Sequence, residues 1–298
     1  MNKSGFCMLW AFALMPCGVL AWEACGEDSL GKVANCEYQI VDGTLTIRGT
    51  SDKGNIGRWQ ARDNPAPWSG QHVQNVVIES SIKDLGYQGF TYLKSDTPIV
   101  VPSSVKKISG DAFKYVKTSE VIIPDSVTSI EGYAFRDATI DKITIPDSVT
   151  SIGVYAFSNS NLQEIIIPDS VQTLGTGSLG GCSNLKTVVI GENVLLGNIF
   201  NDNRDYAPVN LENLQMYCSA ENTSCESALK SIGATDEQIQ NVLKTYTKEG
   251  NRYVIDGQRY KSLSDMKKNQ PLKLKRIYTL DEAAKVSTDK NRLMIRYR

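Results

Sequence analysis

The sequence holds a single histidine, His72. That scarcity excludes most His-dependent catalysis and His-ligated metal clusters. Charge of one sign is lacking too. The 298 residues carry 32 basic and 33 acidic side chains, a net charge of −1. Bulk attraction to nucleic acid or to acidic membranes is therefore not expected. No second long apolar run follows the first 21 residues, so no transmembrane span is expected in a processed chain, since a span needs roughly 20 residues. There is no nucleophile elbow, P-loop, dinucleotide fingerprint or CxxC spacing. What is present is apolar material, 41% of the chain. That is enough to build an ordinary core and to argue against intrinsic disorder.

Residues 1–21 read as a secretory signal peptide. Lys3 forms a thin basic n-region, Phe6 to Leu20 is mostly apolar, and Val19-Leu20-Ala21 suits cleavage. An uncleaved N-terminal anchor is the competing reading. A lipoprotein is disfavoured because Pro16 stands where a small residue should precede Cys17. Export to the periplasm, the cell surface or the medium changes how cysteine is read. Cys7 and Cys17 leave with the leader, and an oxidising compartment favours the local pairs Cys25 with Cys36 and Cys218 with Cys225. Cys182 is then odd, and nothing near it in sequence would serve as the base of a nucleophile.

Internal repetition organises the middle of the chain. Pro102, Pro124, Pro146 and Pro168 recur at 22-residue intervals inside Val-Pro-Ser-Ser-Val or Ile-Pro-Asp-Ser-Val. Ala112-Phe113, Ala134-Phe135 and Ala156-Phe157 keep the same spacing, and divergent copies surround Phe90 and Phe200. In Leu162 to Ile167 the pattern points Leu162, Ile165 and Ile167 inward on a short parallel strand. Proline then ends the ladder for want of an N–H, and Pro-Asp predicts a β-turn with Pro at its second position. Val171 and Leu174 resume burial on a second extended segment. One unit cannot bury its own face, so stacking must create a continuous spine of Phe90, Phe113, Phe135, Phe157, Leu179 and Phe200.

The phrase Ile-Pro-Asp-Ser-Val-Thr-Ser-Ile-x-x-x-Ala-Phe at 123–135 and 145–157 resembles the BspA-like leucine-rich repeat family of bacterial surface proteins. Cys25-Gly26, the run Gly43 to Thr50 and Ala66-Pro67-Trp68 are similar to the segment that leads into that family's repeats. The resemblance covers residues 25 to about 217. It implies an exported, non-catalytic solenoid, with a role in adhesion or host contact. It also implies a packed free thiol at Cys182. The expected fold is a β-rich leucine-rich-repeat solenoid with 22–23-residue repeats and a parallel sheet at 71–217. An N-terminal β cap at 22–70 and a small basic α+β segment at 218–298 flank it.

In that last segment, helical spacing of Ile239, Val242 and Leu243 predicts a helix from Thr235 to Lys248. Tyr253 to Ile255, Asp256-Gly257 and Gln258 to Tyr260 predict a hairpin. A capping box at Thr279 predicts a helix through Val286, and Leu293 to Tyr297 a final strand. Residues 226–298 hold 16 basic against nine acidic side chains, a balance of +7, so the rest of the chain carries −8. The basic segment would meet an acidic polymer such as envelope polysaccharide or lipid headgroups, or else dock on the acidic solenoid of the same chain.

Two kinds of function follow. As a binding module for a protein or glycan on a host or envelope surface, the chain would use the strand residues that point outward. These are Val77, Val100, Ile122, Thr144, Ile166 and Val189, with Gln215 beyond, flanked by Glu120, Lys142, Glu164 and Thr187. The same column also suits a purely structural sheet, because β-branched residues favour strands whether or not anything binds. As an enzyme, the chain would need a carboxylate pair. Asp125, Asp147 and Asp169, however, are accounted for as turn residues, and His72 reads as a surface or cap residue without an evident partner. No cofactor or metal is expected, and a hydrolase activity would have to reside in residues 218–298.

Overall fold

The computed structural model describes residues 21–200, 209–262 and 265. The leader, the helix expected after Thr279 and the strand at Leu293 to Tyr297 lie outside the described residues.

Among the described residues an antiparallel hairpin, Cys36–Val41 against Thr44–Gly49, comes first, with Glu23–Ala24 paired along its outer edge. Asp42 and Gly43 both adopt positive φ, 47° and 73°, the conformation a two-residue turn needs to match strand twist. Thr44–Gly49 then pairs in parallel with Asn75–Ile78, so the hairpin closes the open end of the solenoid and supplies its first rung. Trp59 and Trp68 are buried beneath it, and each indole N–H finds a carbonyl: Ile56 at 3.0 Å and Gly89 at 2.7 Å. Cys25 is bonded to Cys36 in this cap.

Each rung then repeats three edges. On the first, Ile99–Val100, Lys117–Ile122 and Thr139–Thr144 pair in parallel, as Glu164–Ile167 and Thr187–Ile190 do further on. On the second, five two-residue strands from Lys107–Ile108 to Leu195–Leu196 form another parallel sheet. The Pro-Asp-Ser-Val turn joins these edges. The N–H groups of Val105, Val127, Val149 and Val171 donate to the carbonyls of Pro102, Pro124, Pro146 and Pro168 at 3.0–3.1 Å. Proline is thus the first residue of the turn rather than the second, because the strand has already ended before it. The serine has its own task. Ser126, Ser148 and Ser170 hydroxyls donate across the stack to the carbonyls of Val105, Val127 and Val149 at 2.7–2.8 Å.

The third edge carries Ala-Phe. Phe90, Phe113, Phe135 and Phe157 are buried and stacked, with ring centroids 5.2–5.3 Å apart. Leu179 and Phe200 continue the spine, both buried. Amide-to-carbonyl bonds run along it, such as Phe113 to Ala134 and Phe135 to Ala156. Cys182 is buried and outside any disulfide, with its Sγ 3.1 Å from the Phe157 carbonyl and 3.5 Å from Ser160 Oγ.

Beyond the repeats the sheet continues without a break. Gln215–Ser219 pairs with Thr187–Ile190, so this strand runs across the boundary expected at 217 and 218. A helix absent from the sequence reading, Ser224–Lys230, follows and is tied back by the Cys218–Cys225 disulfide. The next helix is shorter than expected. Thr235 caps it in a reciprocal box with Gln238, but it stops at Val242. Leu243–Glu249 is instead a strand parallel to Gln215–Ser219, because pairing with that open edge outweighs helical spacing. Arg252–Ile255 and Gln258–Tyr260 form the antiparallel hairpin that the sequence predicts, turning at Asp256-Gly257.

Candidate binding surface

On each first-edge strand the residue between two inward side chains faces out, by the two-residue period of the pleat. Val77, Val100 and Ile122 are 45%, 51% and 41% exposed, and Thr144 is exposed beside them. Among their polar flanks, Lys142 bridges to Glu120 at 2.9 Å. A run of aliphatic carbon in water, bordered by paired charges, spans four rungs.

The column does not extend as far as the sequence suggests. Val189 is fully buried, Ile166 is half-buried, and Gln215 donates from its side chain to the Val242 carbonyl. The chain's own C-terminal hairpin covers this end. Tyr246, Ile255 and Tyr260 pack on Val189, with Ile166, Tyr217 and Tyr253 around them. Val189 and Ile166 thus belong to a small second core rather than to an open contact surface.

Polar contacts hold that cover down. The Tyr246 hydroxyl donates to the Ile190 carbonyl at 2.8 Å. Lys248 Nζ lies 2.5 Å from Asp169 and 2.8 Å from Glu192, and the Tyr253 hydroxyl reaches Asp169 at 3.0 Å. Burial opposes ionisation of Asp169. The bonds from Lys248, the Glu192 amide and Tyr253 outweigh it and hold the carboxyl below its ordinary value. Burial also pushes the Tyr253 hydroxyl up to about 12, reinforced by the Asp169 charge. Asp169 is therefore an anchor for the cap and not simply a turn residue. Within residues 226–260 the charges balance, five basic against five acidic, so the basic excess lies beyond Tyr260.

A second feature, exposed at Tyr92 and Tyr115 and half-buried at Tyr133 and Tyr155, is not evident from the sequence pattern. Tyr92 stacks on Tyr115 at 4.6 Å, and Tyr133 on Tyr155 at 5.3 Å, along the Phe edge. All four have φ between 53° and 62°, as do Asp111, Asp137 and Asn159. Each rung from Phe90 to Leu179 turns through two left-handed residues, two positions either side of its Phe or Leu. Such backbone is uncommon for bulky residues. Tyrosine at Phe±2 is the signal that was available, and it is faint because Asp, Asn and Gly fill the same slots in other rungs.

His72 has a partner after all: its Nε2 lies 2.7 Å from Asp96 Oδ1, both exposed at the start of the solenoid. Among the described residues no three His, Cys, Asp or Glu side chains gather as a metal site would require. Concavities occur around the two C-terminal helices, one lined by Glu226, Lys230, Asp236 and Ile239, away from the exposed column.

Residues 83–215 match six copies of the BspA type leucine rich repeat region. A leucine-rich repeat protein from Eubacterium ventriosum is 26% identical, covering 53% of this chain and 42% of that one, with a TM-score of 0.46. The matched part thus spans less than half of that protein's length. The leucine rich repeat protein of T. pallidum is 18% identical over 67% of this chain and 94% of its own, with a TM-score of 0.37. A leucine rich cell surface protein of Faecalibacterium prausnitzii is 16% identical over 72% and 97%, with a TM-score of 0.25. No curated protein sequence matches significantly. With six matched copies laid on the stacked rungs just described, the repeat region of this chain belongs to the BspA-type leucine-rich repeat family.

Proposed function

We propose that this protein is an exported, non-catalytic binding module that presents the open part of its outer sheet column to a macromolecule on a host or envelope surface. The observation that carries the reading is the exposed row Val77, Val100, Ile122 and Thr144 on consecutive rungs. Its equivalent at Val189 is already used as a packing surface by the chain's own hairpin. A face that buries aliphatic and aromatic side chains at one end is chemically competent to do so along its length. Export is supported by the leader pattern of residues 1–21 and by two local disulfides, which persist in oxidising compartments. Among the described residues no helix is long and apolar enough to cross a membrane.

The test is capture of purified matrix proteins and glycans on the immobilised chain, native and with Ile122→Lys. Ile122 points away from the core, so the fold should survive. An unpaired ammonium at the centre of the contact costs several kcal/mol and should abolish modest affinity. Capture unchanged by Ile122→Lys would move the site off the sheet. No capture by the native chain would favour a structural surface layer.

A further inference from the structure

Lys248 occupies a place that the solenoid offers more than once. Asp169 and Glu192 stand at equivalent positions on neighbouring rungs, each two residues past the paired Ile167 and Ile190. The Lys248 ammonium bridges the two carboxylates, and the Tyr253 hydroxyl joins at Asp169. Lys248 and Tyr253 face one another as a cross-strand pair of the hairpin. Beneath them lie Ile166 and Val189. The bound unit is thus a Lys-Tyr cross-strand pair above an aliphatic floor, clamped by two successive turn carboxylates.

The same clamp recurs on the uncovered rungs. Asp147 and Asp125 precede Asp169 by 22 and 44 residues and sit in the same turn, with the same valine-to-proline and serine-to-carbonyl hydrogen bonds. Parallel strands repeat at about 4.8 Å, so Asp125 and Asp147 stand one rung apart as Asp169 and Glu192 do, with a side chain one methylene shorter at the second position. Both are exposed, and neither has an ion pair among the described residues. Ile122 and Thr144 supply the floor, continuous with the face the hairpin already covers.

We propose that the open column recognises a β-hairpin of a partner protein that carries lysine and tyrosine as a cross-strand pair, held by side-chain contacts like those that seat Lys248 and Tyr253 and without the edge pairing that Leu243–Glu249 makes with Gln215–Ser219. The proposal rests on the reading of this face as the contact surface and names the partner's chemistry. Lysine suits the clamp because its compact ammonium can lie between two carboxylates, whereas a planar guanidinium prefers one of them side-on. Charge complements it, since the chain up to residue 225 carries −8. A neutral glycan would leave both carboxylates without a cation.

The probe is a synthetic peptide of residues 243–260, cyclised to hold the hairpin and titrated by fluorescence anisotropy into the full chain. Binding is expected, weakening with salt. Lys248→Gln in the peptide, or Asp125→Asn with Asp147→Asn in the protein, should each weaken it at least about tenfold. These exposed carboxylates bear no structural contact, and unchanged melting of the doubly substituted protein verifies the fold. Peptide affinity insensitive to the double substitution would overturn the proposal, including the case where the peptide merely exchanges with the native hairpin at Asp169. A photo-cross-linker at position 144 joined to residues 266–298, of the same or a second copy, would overturn it too, because the chain itself would then fill the face. Captured partners lost with Ile122→Lys but kept by the aspartate double substitution would refute the hairpin while leaving the column as the site. Loss with the double substitution alone, and none with Ile122→Lys, would instead refute the column.

Discussion

Phe135→Ala examines the spine at its centre. The ring is fully buried and stacks on Phe113 and Phe157, each at 5.3 Å and within 7° of parallel. Removing it deletes one large buried side chain and two aromatic contacts. Burial of that size, with its cavity, costs about 3–5 kcal/mol. The stacking contacts, at about 0.5–1.5 kcal/mol each beyond burial, place the expected loss in the upper half of that range. Collapse around the void is restricted, because the flanking rungs are pinned by amide bonds from Phe113 to Ala134 and from Phe135 to Ala156. In a stacked array each rung is stabilised by its two neighbours, so damage should spread locally. Urea unfolding gives the free energy, and hydrogen exchange gives its distribution. Amides of residues 112–158 should lose protection first, while the hairpin at 36–49 keeps its own. Phe135→Leu is the matched control: Leu179 already fills the same slot while fully buried, so this change should cost less than half as much. A Phe135→Ala loss below about 1 kcal/mol, or equal losses for both variants, would refute a load-sharing aromatic spine.

Mass mapping of the unreduced protein should find Cys25 linked to Cys36 and Cys218 to Cys225, with Cys182 alkylated only after unfolding; labelling of native Cys182 would place it outside the core. Gly175→Ala should destabilise by about 1–3 kcal/mol, because its Cβ would meet Gly153 and Val154 backbone at 2.4 Å; a neutral melt would show that the rungs can separate freely there. The cap should respond to pH in a defined direction. The Asp169 pKa is depressed on folding, so its contribution is complete above the ordinary value of 3.8 and is lost as pH falls through the lower folded value. Lys248 is raised, burial notwithstanding, by its bonds to Asp169 and Glu192. Its contribution is complete below 10.5 and is lost as pH rises through the higher folded value. Near-UV dichroism of the packed tyrosines should therefore diminish in acid below pH 3.8, and Lys248→Gln should weaken it already at neutral pH; an unaltered signal in both would mean that the apolar contacts of Tyr246 and Ile255 hold the hairpin alone.

Sequence alone determined the solenoid, because every feature that builds a rung acts locally and repeats. Proline stops the strand, serine binds the preceding rung's carbonyl, and Ala-Phe fills the far edge, all at a 22-residue interval that survives substitution of single positions. Inward and outward strand residues follow from the two-residue pleat, so Ile165 and Ile122 could be assigned to opposite sides without coordinates. The Asp256-Gly257 hairpin was legible for the same reason, as a turn whose chemistry is confined to two residues. Only tertiary structure decided what the outward residues do. Val189 and Ile122 look alike in their strands, yet one is covered by Tyr246 and Tyr260, 57 and 71 residues later, and the other meets water. The end of the second helix is equally non-local: Leu243 fits the helical stripe, but the open edge at Gln215–Ser219 captures it as a strand. Asp169 likewise matches Asp125 and Asp147 in sequence and differs from them because a hairpin 79 residues away brings Lys248 to it. Repetition makes the rungs chemically equivalent, and the fold-back of the chain's end makes them unequal.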